Sequence, residues 1–315
     1  MENNSKFTQF KGVFMLLLTA LVWGSSFVAQ GIGIESVDAF TFIGIRTLLG
    51  SVVLIPVFLI RDIIEVKRAG LPLKSLKSKV DVKAIKYGAI LGVILCVATN
   101  FQQFAFYYST PGKIAFITAT YMFYIPIVSL FLKKKIPFIT WICVVLAFVG
   151  LYFLCFKRGD LLSGKMNKGD ILAMICAVFF TAHILVIEKF SPQCDGIKLS
   201  CMQFFVAGLI STILMFIFEK PQCSSIKKAA IPILYSGIMS CGVAYTFQVL
   251  GQKYVSAPVA SLLMSMESVF AVLAAAIIIH EKLSGREILG CAIMFAAIMI
   301  SQVADIIIDV KKRRK

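Results

Sequence analysis

Residues 257–279 read APVASLLMSMESVFAVLAAAIII, twenty-three positions that carry one ionisable side chain, Glu267, within a residue or two of the middle. A hydrocarbon core about 30 Å thick is crossed by about 20 apolar residues at roughly 1.5 Å each. The stretch therefore predicts a membrane-spanning helix with a carboxylate at mid-depth. Working outward, nine more stretches of the same kind occur, at 12–34, 39–60, 87–108, 111–132, 138–156, 171–190, 199–218, 231–250 and 288–308. Between them lie short connections, the longest running from Arg61 to Lys86. The first stretch has no small-x-small cleavage site and reads as a retained span, not a signal peptide.

Composition agrees. Of 315 residues, 59% are hydrophobic and 15% charged, and the mean hydropathy is +0.90, whereas soluble domains carry roughly 25% charged residues. The net charge of +16 would suggest nucleic acid in a soluble protein, but its placement says otherwise. With the amino terminus inside, 21 of the 32 cations fall on the inner face, among them the run Lys133-Lys134-Lys135 and the tail Lys311 to Lys315. That asymmetry predicts both termini in the cytoplasm, although the cations from Lys157 to Lys168 run against it. The basic tail is a topology signal and a contact for anionic lipid.

The two halves, 12–156 and 169–308, read as versions of one another. A shift of 157 aligns Gly12 with Gly169, Ala20 with Ala177 and Arg46 with Gln203. A shift of 147 aligns Ser109 and Pro111 with Ser256 and Pro258. Five spans in each half make the second enter from the opposite face. The expected architecture is an all-α integral membrane protein of ten transmembrane helices in two inverted five-helix repeats, a layout of carriers that bind substrate near the midplane.

Several enzyme and cofactor classes find no support. Gly159 to Met166 approximates a phosphate-binding loop, but Met166 stands where Ser or Thr must hold magnesium. There is no G-x-S-x-G, no H-E-x-x-H, and no Cys/His cluster with zinc spacing. Seven of the nine cysteines fall within spans, where a thiol is a small hydrophobe. No catalytic residue, metal site or cofactor is expected.

Several motifs together resemble the drug/metabolite transporter superfamily, specifically its EamA-like family. They are Trp23-Gly24-Ser25-Ser26-Phe27 in the first span, Arg46 in the second, and Ala115 to Tyr121 followed by Pro126 in the fourth. In the ninth, Ser256-Ala257-Pro258 leads to Glu267-Ser268-Val269-Phe270-Ala271 and then His280-Glu281-Lys282-Leu283, with Gly290 in the tenth. Ser268 replaces the usual Pro, implying a straighter ninth helix, and His280 replaces a Gly. The resemblance spans 12–305. It implies a secondary carrier in the cell membrane, usually an exporter of amino acids, other metabolites or toxic compounds, with a small-molecule substrate. Membrane lipids are the other partner; protons and a second copy of the chain (a homodimer) stay open. An importer or facilitator, or a non-transporting assembly or sensor protein, are the alternatives. A channel is disfavoured because the scattered single charges make no selectivity ring.

Ionised groups in a span are functional candidates by default, since each costs about 2.5–3.5 kcal/mol on insertion scales. Glu267 shares a face with Ala260, Ala271, Ala274 and Ala275, which points it into the bundle. It is either a proton carrier or partner of a cationic group, or a carboxylate locked to a neighbouring helix. Arg46 either grips a substrate carboxylate through its planar fork or pairs statically with Glu267. His183 titrates in a range suited to proton coupling, or is a hydrogen-bonded core histidine. Asn100, Gln102, Gln103, Gln203, Tyr245 and Gln248 line a cavity or bond between helices. Trp23 and Ser26 line the pathway or pack a helix face. Pro126 removes a mid-span backbone donor and predicts a kink or hinge there.

Overall fold

The computed structural model of the chain describes residues 2–72, 75, 80–155, 166–278 and 284–313. The phosphate-loop lookalike up to Lys165 and the run His280 to Leu283 lie outside the described residues, as do the cations Lys157, Arg158 and Lys165. The secondary structure described is helical. Nine helices are long and apolar enough to cross a membrane among the described residues, and Phe138–Leu154 is a shorter apolar helix.

The amino-terminal half comprises α1 (Glu2–Ile34), α2 (Ala39–Arg68), α3 (Val82–Ala105), α4 (Pro111–Ala119), α5 (Tyr121–Phe131) and α6 (Phe138–Cys155). After it come α7 (Lys168–Phe190), α8 (Gly196–Phe218), the short α9 (Cys223–Lys228), and α10 (Ala230–Tyr235). A π-helical segment, Ser236–Tyr245, leads into α11 (Thr246–Gly251), followed by α12 (Ala257–Met264), α13 (Glu267–Ile278) and α14 (Gly285–Arg313). Helix ends are set by local chemistry. Asn167 and Asp170 form a reciprocal capping box at α7, and Asp195 Oδ1 accepts from the backbone of Ile197 (2.9 Å) and Lys198 (3.0 Å) at the start of α8.

α8 packs along α2 and α3, α7 along α3, α14 along α6, and α1 against α13 and the π segment. Lipid is as apolar as leucine, so close backbone approach and hydrogen bonds hold such a bundle together. The α6–α14 contact shows this. A Cβ on Gly290 would sit 2.6 Å from the Gly150 carbonyl oxygen, and one on Gly150 would sit 2.9 Å from that of Gly290. The outward faces carry exposed large apolar side chains, such as Phe131 and Ile231.

Two spans are interrupted at mid-length. The fourth breaks at Thr120, between α4 and α5, and the ninth at Ser265–Met266, between α12 and α13. At both breaks a side-chain hydroxyl donates back to a carbonyl three residues earlier, Thr120 to Ile117 at 2.6 Å and Ser265 to Leu262 at 2.7 Å. Such back-bonding competes with the helical ladder. Pro126, the expected kink or hinge, lies inside α5, six residues beyond the break at Thr120. In the ninth span, where Ser268 replaces the usual Pro, the interruption falls just before it, at Ser265–Met266.

Candidate functional site

The breaks and the π segment converge on a small, partly open cavity with a free volume of about 20 Å³, lined by both polar and apolar side chains. Arg46 enters it from α2, Trp23 and Ser26 from α1, Tyr245 from the end of the π segment, and Glu267 from the first residue of α13. Phe27, Phe180 and Ile184 complete an apolar and aromatic wall. The Trp23 and Tyr245 rings pack with centroids 4.5 Å apart.

The cavity wall carries buried donors. Arg46 is 2% exposed, and its Nε and Nη1 are buried with no hydrogen-bond partner. Its guanidinium carbon lies 5.5 Å from the Phe42 ring centroid. Trp23 Nε1 is likewise buried and unpartnered. Glu267, 3% exposed, also lines the cavity, and its Oε1 accepts from the Tyr121 hydroxyl at 3.0 Å. Beside it Gln102 Nε2 donates to Thr118 Oγ1 at 3.4 Å. Arg46 and Glu267 share the cavity, yet no carboxylate among the described residues lies within 4.0 Å of the Arg46 guanidinium. Of the two readings of Arg46, the static pair with Glu267 is not made at ion-pair distance, which leaves a buried cation whose Nε and Nη1 have no hydrogen-bond partner among the described residues.

The remaining sequence candidates are one layer out. His183 is fully buried, with Nε2 3.0 Å from Gln203 Oε1, and its ring stands 6.2 Å from that of Tyr245. Asn100 Nδ2 donates to Cys96 O and Ser211 Oγ, both at 2.8 Å, tying α3 to α8. Gln103 Nε2 donates to the Gln30 carbonyl at 3.4 Å. Gln248 is buried on α11, with neither amide atom hydrogen-bonded. Of the cavity residues, Tyr121, Gln30, Thr118 and Ser240 were not singled out by hydropathy. Tyr121 stands in the sequence only as the last residue of the Ala115 to Tyr121 motif, and its hydroxyl bond to Glu267 is seen in the structure alone. Among the described residues no group of three or more His, Cys, Asp or Glu gathers to hold a metal ion.

The EamA-like transporter family matches residues 10–156 and 167–302 of the chain. An uncharacterized transporter of Archaeoglobus fulgidus is 27% identical over 286 residues, covering 90% of this chain and 83% of that protein. An uncharacterized transporter of Clostridium kluyveri is 23% identical over 215 residues, covering 66% of this chain and 65% of that one. A protein crystal structure superposes with a TM-score of 0.72 at 15% identity, covering 93% of this chain and 98% of that one, and so shares the fold.

Proposed function

The chain belongs to the EamA-like transporter family, and from that premise we propose a secondary carrier exporting a small carboxylate-bearing metabolite, such as an amino acid or derivative, by alternating access. The proposed architecture is ten spans in two inverted repeats, 12–156 and 169–308, in the cell membrane with both termini cytoplasmic. The two family-matched segments support that division. So do the breaks at Thr120 and Ser265–Met266, which fall within two residues of one another under the shift of 147.

The observation that carries the substrate reading is Arg46. Arg46 packs on the Phe42 ring but has no carboxylate partner among the described residues; a buried charge so placed is costly, and the guanidinium fork matches a carboxylate in shape and charge. Trp23, whose Nε1 is buried without a hydrogen-bond partner, lines the same cavity and supplies a further donor for the substrate's carboxylate. Glu267 lines the same cavity, held by a neutral hydroxyl and not by a cation. In that position it takes either a proton or the ammonium of a substrate, and exchange between the two couples export to proton entry. The aromatic wall of Trp23, Phe27, Phe180 and Tyr245 accommodates the apolar remainder.

Thermal unfolding of the purified protein against a panel of amino acids, their derivatives and other small carboxylates tests this reading. A solute that binds only the folded state raises its apparent stability. At least one carboxylate is expected to do so in the native protein and not in Arg46→Met. Stabilisation by the same solutes in both proteins would remove Arg46 from the site.

A further inference from the structure

The first halves of both broken spans, α4 and α12, begin with proline one or two residues inside the helix, and neither is capped by its own side chain. Thr110 before α4 and Ser256 before α12 make no side-chain capping bond. Both openings are held instead by carboxylates of a single helix, α7. In the first turn of α7, Asp170 Oδ2 accepts from Lys113 Nζ of α4 at 2.8 Å, and Asp170 is 5% exposed. Near its last turn, Glu188 Oε1 accepts from the backbone N–H of Ala257, the first residue of α12, at 2.9 Å. Its Oε2 takes Lys134 Nζ, just beyond α5.

The Lys134 contact is prepared by the backbone. Lys133 has φ 58°, a left-handed conformation that favours glycine, and Lys134 N–H reaches back to the Ser129 carbonyl at 3.0 Å. This is the turn that ends helices with a residue in that conformation, and it delivers Lys134 to Glu188. Asp170 and Glu188 are eighteen residues apart on one continuous helix, which at 1.5 Å per residue places them about 27 Å apart. That is close to the thickness of a hydrocarbon core, so the two carboxylates stand at opposite membrane faces. Each half-helix also has a break at its far end, α4 at Thr120 and α12 at Ser265–Met266.

We propose that Asp170 and Glu188 are the two gate-positioning residues of the carrier. Glu188 closes the cavity toward its own face by pinning α12, all eight residues of which are buried, and Asp170 closes the opposite face by pinning α4. Opening one face releases one latch, and the half-helix swings about its break while the other latch stays made. The proposal rests on reading the central cavity as the transport pathway, but its test needs no substrate.

The test uses the full chain with its nine native cysteines replaced and Ser240→Cys placed in the cavity wall. A membrane-impermeant maleimide is presented from each face in vesicles of the two orientations. Glu188→Ala raises the labelling rate from the Glu188 face about tenfold, as expected when a two-state equilibrium loses one charge-assisted contact, with no rise from the other face. Asp170→Asn does the reverse. Lys134→Gln, which keeps the Ala257 bond, gives a smaller rise on the Glu188 face and carries the test if Glu188→Ala does not fold. Equal changes at both faces, or no change in a folded variant, overturn the proposal. Face-selective labelling in a protein that shows no solute exchange would instead sink the transport reading and leave the latches standing.

Discussion

The Tyr121 hydroxyl donates to Oε1 of Glu267 at 3.0 Å, and each residue is the first of the second half of a broken span. The bond therefore joins α5 to α13, one from each proposed repeat, at the wall of the cavity. Both partners are buried, Tyr121 to 1% exposure and Glu267 to 3%. Removing one partner from such a pair leaves the other unsatisfied, which costs about 1–3 kcal/mol. Tyr121→Phe is expected to lower the stability of the purified protein by that amount in denaturant or thermal unfolding. In a double-mutant cycle with Glu267→Gln the two losses should fall well short of additive. Additive losses would mean that the two side chains do not act as a pair.

Arg46 leads to the opposite expectation for stability. Its buried charge has no ionic partner among the described residues, so deleting it relieves a desolvation penalty and breaks no salt bridge. Arg46→Met should unfold within about 1 kcal/mol of the native protein, or later, while losing stabilisation by carboxylate solutes. Arg46→Lys keeps the charge but not the fork, and should bind those solutes weakly. A large loss of stability in Arg46→Met would show instead that the guanidinium is structural.

How much of this was legible in the chain depends on what each residue does. Glu267 and Arg46 stand out because a charge in an apolar span is visible in hydropathy alone. Trp23 and Tyr245 are visible only as polar or aromatic positions, and the structure puts them together with a 4.5 Å ring contact. Tyr121 is visible only as the end of the Ala115 to Tyr121 motif, because its role depends on Glu267, 146 residues away in the sequence. The interruptions were hidden for a different reason. Proline is the familiar marker of a broken helix, yet the breaks fall at Thr120 and Ser265–Met266, where neither the break residues nor their immediate neighbours are Pro or Gly. His183 is a buried neighbour of Gln203, a placement that hydropathy does not distinguish from a cavity position.

Outside the spans, Asp195 links charge to stability. Burial pushes its carboxyl up, but the Lys198 N–H, the Arg61 guanidinium and the Ile197 N–H outweigh that and hold it below the ordinary value of 3.8. Arg61 Nη2 lies 2.6 Å from Asp195 Oδ2. A carboxylate depressed in the folded state contributes stability above its unfolded value and loses it as pH falls through the folded one. The stability gap between the native protein and Asp195→Asn should thus be full at neutral pH and shrink as pH drops below about 4. A gap that is constant from neutral to acid, measured by unfolding in detergent, would contradict the assignment.

Gly24 sets the height of α1 against Glu267. A Cβ there would lie 2.7 Å from the Glu267 carbonyl oxygen, 2.7 Å from Ala271 N and 2.6 Å from Phe270 Cβ. Backbone atoms cannot give way as a flexible side chain would, so Gly24→Ala should cost about 1–3 kcal/mol by overpacking. Gly112→Ala, where a Cβ meets nothing within 4 Å, is the matched control and should melt within about 0.5 kcal/mol of the native protein.

The central claim is that the cavity between Arg46 and Glu267 is the substrate site of a carrier. Counterflow in proteoliposomes tests it most directly, using a solute drawn from the thermal panel. The native protein should exchange labelled for unlabelled solute with a rate that saturates. Arg46→Met should abolish that exchange, and Glu267→Gln should abolish its dependence on pH. Linear, non-saturating flux, or exchange that survives unchanged in Arg46→Met, would contradict the account.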